Sequence, residues 1–286
     1  MKELTAIDVC SGAGGWGIAA RGLPIKIIEA IDVAEDCLET YAYNHPGTKI
    51  TCTDVTKVKW KKFKGIDIVL GGIPCEEVSP ARRGLFRKPK PGTIEKWHAL
   101  IDSVLDGIHL IAPPYWALEN VIQMRRHLPP LTPFWIVNAA RFCGQNRRRM
   151  FAGRFPLPPL PNDARVLRDY LRPGPFVLPS HVVKMDFRIQ GKHLGFEDRI
   201  GRTLVPEMKS PTVIKYTKRL QDVSVLLPDG RRRVMQFVEA AALQGFPEDY
   251  VFVATPDRAW KMVAQAIPIP VGRAILESIC EGMKNE

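Results

Sequence analysis

The sequence predicts an α/β protein: a Rossmann-like, doubly wound, mostly parallel sheet carrying a small irregular lobe. Three observations point to it. Short apolar runs alternate with helical segments from Leu4 to Val121, the rhythm of βαβ units whose sheet is covered on both faces. The glycine-rich stretch SGAGGWG (11–17) separates the first run from the first helical segment, as a ligand-cradling turn does. Beyond about residue 155 the rhythm stops, and FPLPPLPNDARVLRDYLRPGPFVLP is dense in proline.

Taken in order, LTAIDVC (4–10) is a buried strand, and GIAARGL after the glycine turn is a helix. PIKIIEAID (24–32) is a second strand ending in an acid, and AEDCLETYAYNHP is a helix stopped by Pro46. KITCTDVT holds a third strand and DIVLGG (67–72) a fourth. Helical periodicity runs from Ile94 to Ile111, and PPYWALENV is a fifth strand. MQFVEAAALQGFP resumes helical character, and IPIPVGRAILESICEGM closes the chain as a helix. Three units are expected: a large one over 1–155, a small lobe over 156–232, and a segment 233–286 that returns to the large unit.

A length of 286 residues suits one large domain and a small lobe. Hydrophobic content of 45% and charged content of 25% describe a globular chain. No apolar run reaches the length of about 18 residues that a membrane span needs, and MKELTAIDV enters a strand with no signal-peptide pattern. The six cysteines (Cys10, Cys37, Cys52, Cys75, Cys143, Cys280) are scattered, with no CxxC pair. That pattern suits a reducing compartment and no metal site. The net charge of +11 favours an anionic partner, nucleic acid first. It concentrates in Arg82, Arg83, Arg87, Lys88 and Lys90, in Arg147, Arg148, Arg149 and Arg154, and in Arg231, Arg232 and Arg233.

Gly12, Gly14 and Gly17 make a G-x-G-x-x-G, and Asp32 ends the next strand. Glycines let backbone approach a nucleotide-like cofactor, and an acid at that strand end binds ribose hydroxyls. Such a motif serves NAD and S-adenosylmethionine (SAM) equally. Asp54, after the third strand, can accept from an adenine amino group or cap a helix. Ligands of open α/β sheets sit at the carboxyl ends of the strands. Cys75 follows such an end, where nearby arginines favour its thiolate. Glu119 ends the next strand, so a thiol and a carboxyl share one crevice. QNRRR (145–149) adds cations able to hold a phosphate or a base oxygen.

In this order and spacing the segments resemble the cytosine-C5 DNA methyltransferases over nearly the whole chain. DVCSGAGG (8–15) resembles the family's D-L-F-C-G-A-G-G, with Asp32 at its ribose-binding acid and Asp54 at its adenine-binding acid. GGIPC with Ser79 resembles the nucleophile loop G-G-P-P-C-Q-x-F-S, and ENV (119–121) is identical to the catalytic motif. QNRRR resembles Q-x-R-x-R. RVMQFVEAAALQGFPEDY (233–250) resembles the segment after the recognition region, and VAQAIPIPV (263–271) the final G-N-A-V-P motif.

The resemblance implies methyl transfer from SAM to C5 of a cytosine flipped out of a short double-stranded DNA site, at an unstacking cost of about a few kcal/mol. Cys75 attacks C6 and forms a covalent adduct. Glu119 holds or protonates N3, and Arg149 with Arg147 contacts the base O2 and the nucleophile side. The implied cofactor site comprises Cys10, Ser11, Gly12, Ala13, Gly14, Gly15, Asp32, Val33, Asp54, Val55, Pro74, Gln265 and Ala266. The implied DNA contacts are Ser79, Arg82, Arg83, Arg87, Lys88 and Gln145, with segment 82–90 as a lid over the flipped base. The expected protein is a metal-free, membrane-free monomer on DNA, in the cytoplasm of a bacterial or phage-infected cell, serving restriction-modification or phage DNA modification.

Five positions depart from the family pattern. Glu76 replaces a glutamine, and its charge raises the thiol pKa and repels phosphate. Val78 replaces an aromatic residue, Cys10 replaces the phenylalanine against the adenine, and Ala264-Gln265 replaces Gly-Asn. The recognition stretch is short, with Arg188, Gln190, Lys192, His193, Arg199, Arg202, Lys215, Lys218 and Arg219 as candidate readers, most of them expected to be solvated surface charges. The alternatives are an RNA methyltransferase of the same chemistry, an inactive DNA-binding relative, and an NAD-dependent oxidoreductase resting on the glycine motif alone.

Overall fold

The computed structural model describes residues 3–74, 92–171 and 235–283 in full, and the backbone alone at 188–189, 192–193, 210–211, 224–226 and 232–234. Five strands are parallel neighbours: β1 (Leu4–Val9), β2 (Ile25–Asp32), β3 (Lys49–Cys52), β4 (Ile68–Gly72) and β5 (Tyr115–Asn120), in the order β3-β2-β1-β4-β5. Helices α1 (Gly15–Ala20), α2 (Glu35–Asn44) and α3 (Thr93–Ile111) lie along the connections. The doubly wound, mostly parallel sheet is therefore present.

Side-chain alternation explains why the central runs read as continuously apolar. Ala6, Ile68, Leu70, Ala117 and Phe151 enter one buried cluster. Ile7, Val9, Val69, Leu118 and Met150 enter the other. A strand buried on both faces has no polar side to show. Helix α2 stops at Asn44 because the residue before Pro46 is pushed out of helical geometry, and His45 has φ −136° and ψ 66°.

Two strands of the sheet have no counterpart in the sequence pattern. After β5 the chain forms β6 (Phe134–Asn138), a two-residue β7 (Gln145–Asn146) and β8 (Arg148–Arg154). β8 inserts antiparallel between β5 and β6 and completes a seven-stranded sheet. Only the short 3₁₀ turns Ile122–Arg126 and Ala139–Arg141 separate these strands, so the βα rhythm does not mark them.

The C-terminal segment packs on the large unit. Helix α4 (Phe237–Gln244) ends at Gly245, whose φ of 98° suits glycine alone. Helices α5 (Pro256–Gln265) and α6 (Ile269–Gly282) follow. Trp260, Val263, Ile275 and Leu276 share one core with Leu4, Ala6 and Trp16. The beginning of the expected small lobe also packs there. Leu167 is fully buried in the same core, and Tyr170 Oη accepts from the Gly144 amide at 3.0 Å. Among the described residues no single helix is long and apolar enough to cross a membrane, and no group of three metal-ligating side chains occurs.

Candidate functional site

The glycine turn is built on left-handed backbone. Cys10, Gly12 and Gly14 have φ of 50°, 53° and 85°. The turn is tied to the end of β2, where the Gly12 amide donates to Asp32 Oδ2 at 2.8 Å. Asp32 Oδ1 accepts from the Val33 and Ala34 amides at 2.7 and 2.9 Å. Only one motif glycine faces open space. A Cβ on Gly12 would meet nothing within 4 Å. One on Gly14 would meet Tyr250 Oη at 2.7 Å, and one on Gly17 would meet His45 Nε2 at 2.8 Å. Gly14 and Gly17 are thus needed for packing on the Tyr41, His45 and Tyr250 rings, and Gly12 for access.

The Ser11 hydroxyl is buried without a hydrogen-bond partner, and the buried Asp8 carboxyl faces the Tyr41 hydroxyl. Burial, then the charge of Asp32, pushes Asp8 well above the usual carboxylate range. Burial and the same acids push the Cys10 thiol up, so it stays protonated. Val33, next to Asp32, leaves its apolar side chain 71% exposed at the strand end.

Asp54 does cap a helix. Its Oδ1 accepts from Thr56 N and Oγ1 at 2.9 and 2.8 Å, opening the 3₁₀ turn Val55–Lys57. Those bonds hold its pKa down and leave Oδ2 outside the cap. Val55 is buried in the core beneath α3, so its side chain faces inward. Ala13 is buried, and its carbonyl accepts from Tyr250 Oη.

The second half of the site lies at the ends of β4 and β5, where Gly72 pairs with Glu119. Glu119 is buried, and its Oε1 lies 2.8 Å from Arg149 Nε. Burial raises the Glu119 pKa more than Arg149 and then Arg147 lower it. Asn120 donates to Ile73 O at 3.0 Å, and Trp97 Nε1 donates to Pro74 O at 2.6 Å. Pro74 is the last described residue on this side. Cys75, Glu76, Val78, Ser79, Arg82, Arg83, Arg87 and Lys88 lie outside the described residues.

The structure separates Arg147 from Arg149. Arg147 is 2% exposed. Its Nη2 donates to Ala264 O and Ala266 O at 3.1 and 2.9 Å, so it pins the α5–α6 junction, while its charge also acts on Glu119. Gln244 Nε2 donates to Ala266 O and Ile267 O at 2.7 and 2.9 Å. The junction is thereby set against the glycine turn, where a Cβ on Gly15 would meet Ile267 Cγ1 at 3.0 Å and Ala266 Cβ at 3.7 Å. Gln265 is exposed at the end of α5. Gln145, expected at the DNA surface, is fully buried, with its side-chain amide oxygen and nitrogen both unpartnered. Its backbone pairs with Ser210. Of the expected readers, Arg188, Lys192 and His193 are described by backbone only, and Gln190, Arg199, Arg202, Lys215, Lys218 and Arg219 lie outside the described residues.

The family model for C-5 cytosine-specific DNA methylase matches residues 4–130 and 185–281. The chain belongs to the C-5 cytosine-specific DNA methylase family. It is 25% identical to the type II methyltransferase M.DsaV of Dactylococcopsis salina, covering 97% of this chain and 86% of the relative. It is 24% identical to M1.HphI of Haemophilus parahaemolyticus, covering 99% and 88%. Its fold is similar to that of S. pombe Dnmt2, with a TM-score of 0.71 at 16% identity over 98% of this chain and 99% of that one. A putative DNA modification methyltransferase of an E. coli prophage gives a TM-score of 0.66 at 18% identity, covering 99% and 100%. This C-5 cytosine-specific DNA methylase is thus a DNA cytosine methyltransferase, and the oxidoreductase alternative falls away.

Sequence reasoning missed Trp97, Tyr250 and Gln244, and included Asn120 only within ENV. Asn120 was findable, since it follows the acid in ENV. Gln244 was findable in LQGFP. Trp97 and Tyr250 carry no local signal, because their bonds cross 23 and 237 residues.

Proposed function

We propose that this methyltransferase acts on a cytosine flipped out of a short duplex site, with Cys75 as nucleophile, Glu119 as proton donor at N3, and SAM as methyl donor. The observation that carries this is Glu119. A buried carboxyl with a raised pKa, oriented by a guanidinium, ends the strand that pairs with the strand leading to Pro74 and Cys75. Three residues from Gly72 to Cys75 span at most about 11 Å, within reach of one pyrimidine ring.

The residues at the glycine turn fit SAM. The open side of Gly12 admits the cofactor backbone. The unpartnered Ser11 hydroxyl supplies a polar contact, and exposed Val33 an apolar wall. Asp32 has the position to take ribose hydroxyls, and Asp54 Oδ2 to take an adenine amine. SAM, when bound, supplies an electrophilic methyl group at C5.

The protein's own part is to make C5 nucleophilic. The Cys75 thiolate forms a bond to C6, and the electron pair moves toward C5 while Glu119 delivers its proton to N3. Arg149 stabilises the carboxylate left behind and orients it. Once C5 carried the methyl group, loss of its proton to a base would drive β-elimination, which breaks the C6–sulfur bond, frees Cys75 and returns the N3 proton to Glu119. Arg147 acts as a positioning residue, through the junction at Ala264–Ala266. DNA phosphates are held by the basic segment 82–90.

Bisulfite sequencing of an expression plasmid tests this. Protected cytosines in one short context, lost with Cys75→Ala, are expected. Equal protection by wild type and Cys75→Ala would overturn the nucleophile assignment.

A further inference from the structure

The backbone leading to Cys75 is held at two successive carbonyls, from two different elements. Asn120, on β5, holds Ile73 O. Trp97, in the first turns of α3, holds Pro74 O at 2.6 Å. Pro74 O belongs to the peptide bond that joins Pro74 to Cys75. That unit is planar, so holding the oxygen also ties down the next amide nitrogen and Cα. Pro74 itself has a fixed φ and no N–H, which leaves its carbonyl as the handle by which the peptide can be aimed.

Trp97 is itself braced. Its side chain is buried, and an indole N–H is a donor only, so it needs an acceptor there. His127 meets the ring edge-on, with centroids 5.0 Å apart and planes at 90°. His98 lies 5.4 Å away. The two histidines hydrogen-bond each other, Nε2 to Nδ1, at 3.0 Å.

We propose that Trp97 is a positioning residue for the nucleophile: its indole N–H, packed beside the His98–His127 pair, holds the Pro74 carbonyl from which the chain continues to Cys75. This rests on Cys75 being the nucleophile. Trp97 never touches substrate; it acts on the attack step and not on binding.

The test compares full-length wild type, Trp97→Phe and Cys75→Ala. Covalent trapping is followed on duplex DNA carrying 5-fluorocytosine, whose C5 fluorine blocks the final elimination. SAM and DNA affinities and melting temperature are measured alongside. Trp97→Phe keeps an aromatic ring, though a smaller one, and deletes the donor. Loss of one buried hydrogen bond is expected to slow trapping and single-turnover methylation together by about three- to tenfold, with both affinities within about twofold. Trapping at the wild-type rate overturns the proposal, as does a rate loss matched by equal losses of SAM and DNA affinity. If Cys75→Ala still traps, the nucleophile assignment itself has failed; if it is dead while Trp97→Phe is normal, only the present inference has. Should Trp97→Phe not fold, His127→Ala decides, since His127 is exposed. A slower trapping rate supports the brace, and an unchanged one overturns it.

Discussion

Glu119 Oε1 and Arg149 Nε stand 2.8 Å apart across the antiparallel pair β5–β8. Glu119 is directly opposite Phe151, so Arg149 reaches it diagonally, two residues along the same face. Burial is the largest influence on this carboxyl and favours its neutral form, while the guanidinium opposes it. The pair is therefore tuned between a donor and a counter-ion.

Glu119→Gln keeps the shape and removes the transferable proton. Single-turnover methylation should fall by about 10²-fold or more, with SAM affinity retained. A rate within a few-fold of wild type would remove Glu119 from the chemistry.

Arg149→Leu removes the main influence holding the Glu119 pKa down, so that pKa rises further. Activity that requires the Glu119 proton is lost as pH rises through its pKa, and the alkaline limb of kcat/KM should move to higher pH in the variant. A pH–rate profile checks the direction, and a shift to lower pH would contradict it.

Arg147 should behave differently from Arg149. Arg147→Met leaves two buried carbonyl oxygens at the α5–α6 junction without their charged donor. Melting should report a loss of about 2–3 kcal/mol, accompanied by weaker SAM binding. A variant of unchanged stability and cofactor affinity, with only slower chemistry, would return Arg147 to the base.

The glycine turn separates access from packing. Gly14→Ala places a methyl 2.7 Å from Tyr250 Oη at a φ of 85°, an overpacking cost of about 1–3 kcal/mol added to left-handed strain of about 1–2 kcal/mol. Gly12→Ala bears the strain alone and should chiefly weaken SAM. Tyr250→Phe in the Gly14→Ala background should recover part of the stability. Equal melting temperatures for the two single variants would refute the distinction.

His45 gives a pH signature. Burial, then the charge of Arg21, lowers its pKa to about 4 from 6.5. Between those values the unfolded chain binds the proton that the folded chain excludes. Stability from this group is thus complete above about pH 6.5 and falls as pH drops toward 4, by about 2 kcal/mol after allowance for partial exposure. His45→Gln should flatten the melting-temperature difference over that window. Parallel curves would contradict the assignment.

Strands β1 to β5 and the helices between them were legible in the sequence. A strand buried on both faces must be apolar throughout, and a helix must keep its own period. The places of two candidate site residues were legible too: Asp32 and Glu119 lie at the ends of their strands. Strands β6 and β8 were not legible, because antiparallel return strands need no helical spacer and leave no rhythm. Nor could sequence tell Arg147 from Arg149, two residues apart in one motif. Packing sends the first to the carbonyls of Ala264 and Ala266 and the second to Glu119. The same holds for the motif glycines, of which one opens to the crevice and others make room for Tyr250 and His45, and for Trp97, whose partner lies 23 residues earlier. Local pattern is set by burial and backbone period, which each segment carries within itself. The partner a side chain meets is set by distances between segments far apart in the chain, and those exist only once the sheet has formed.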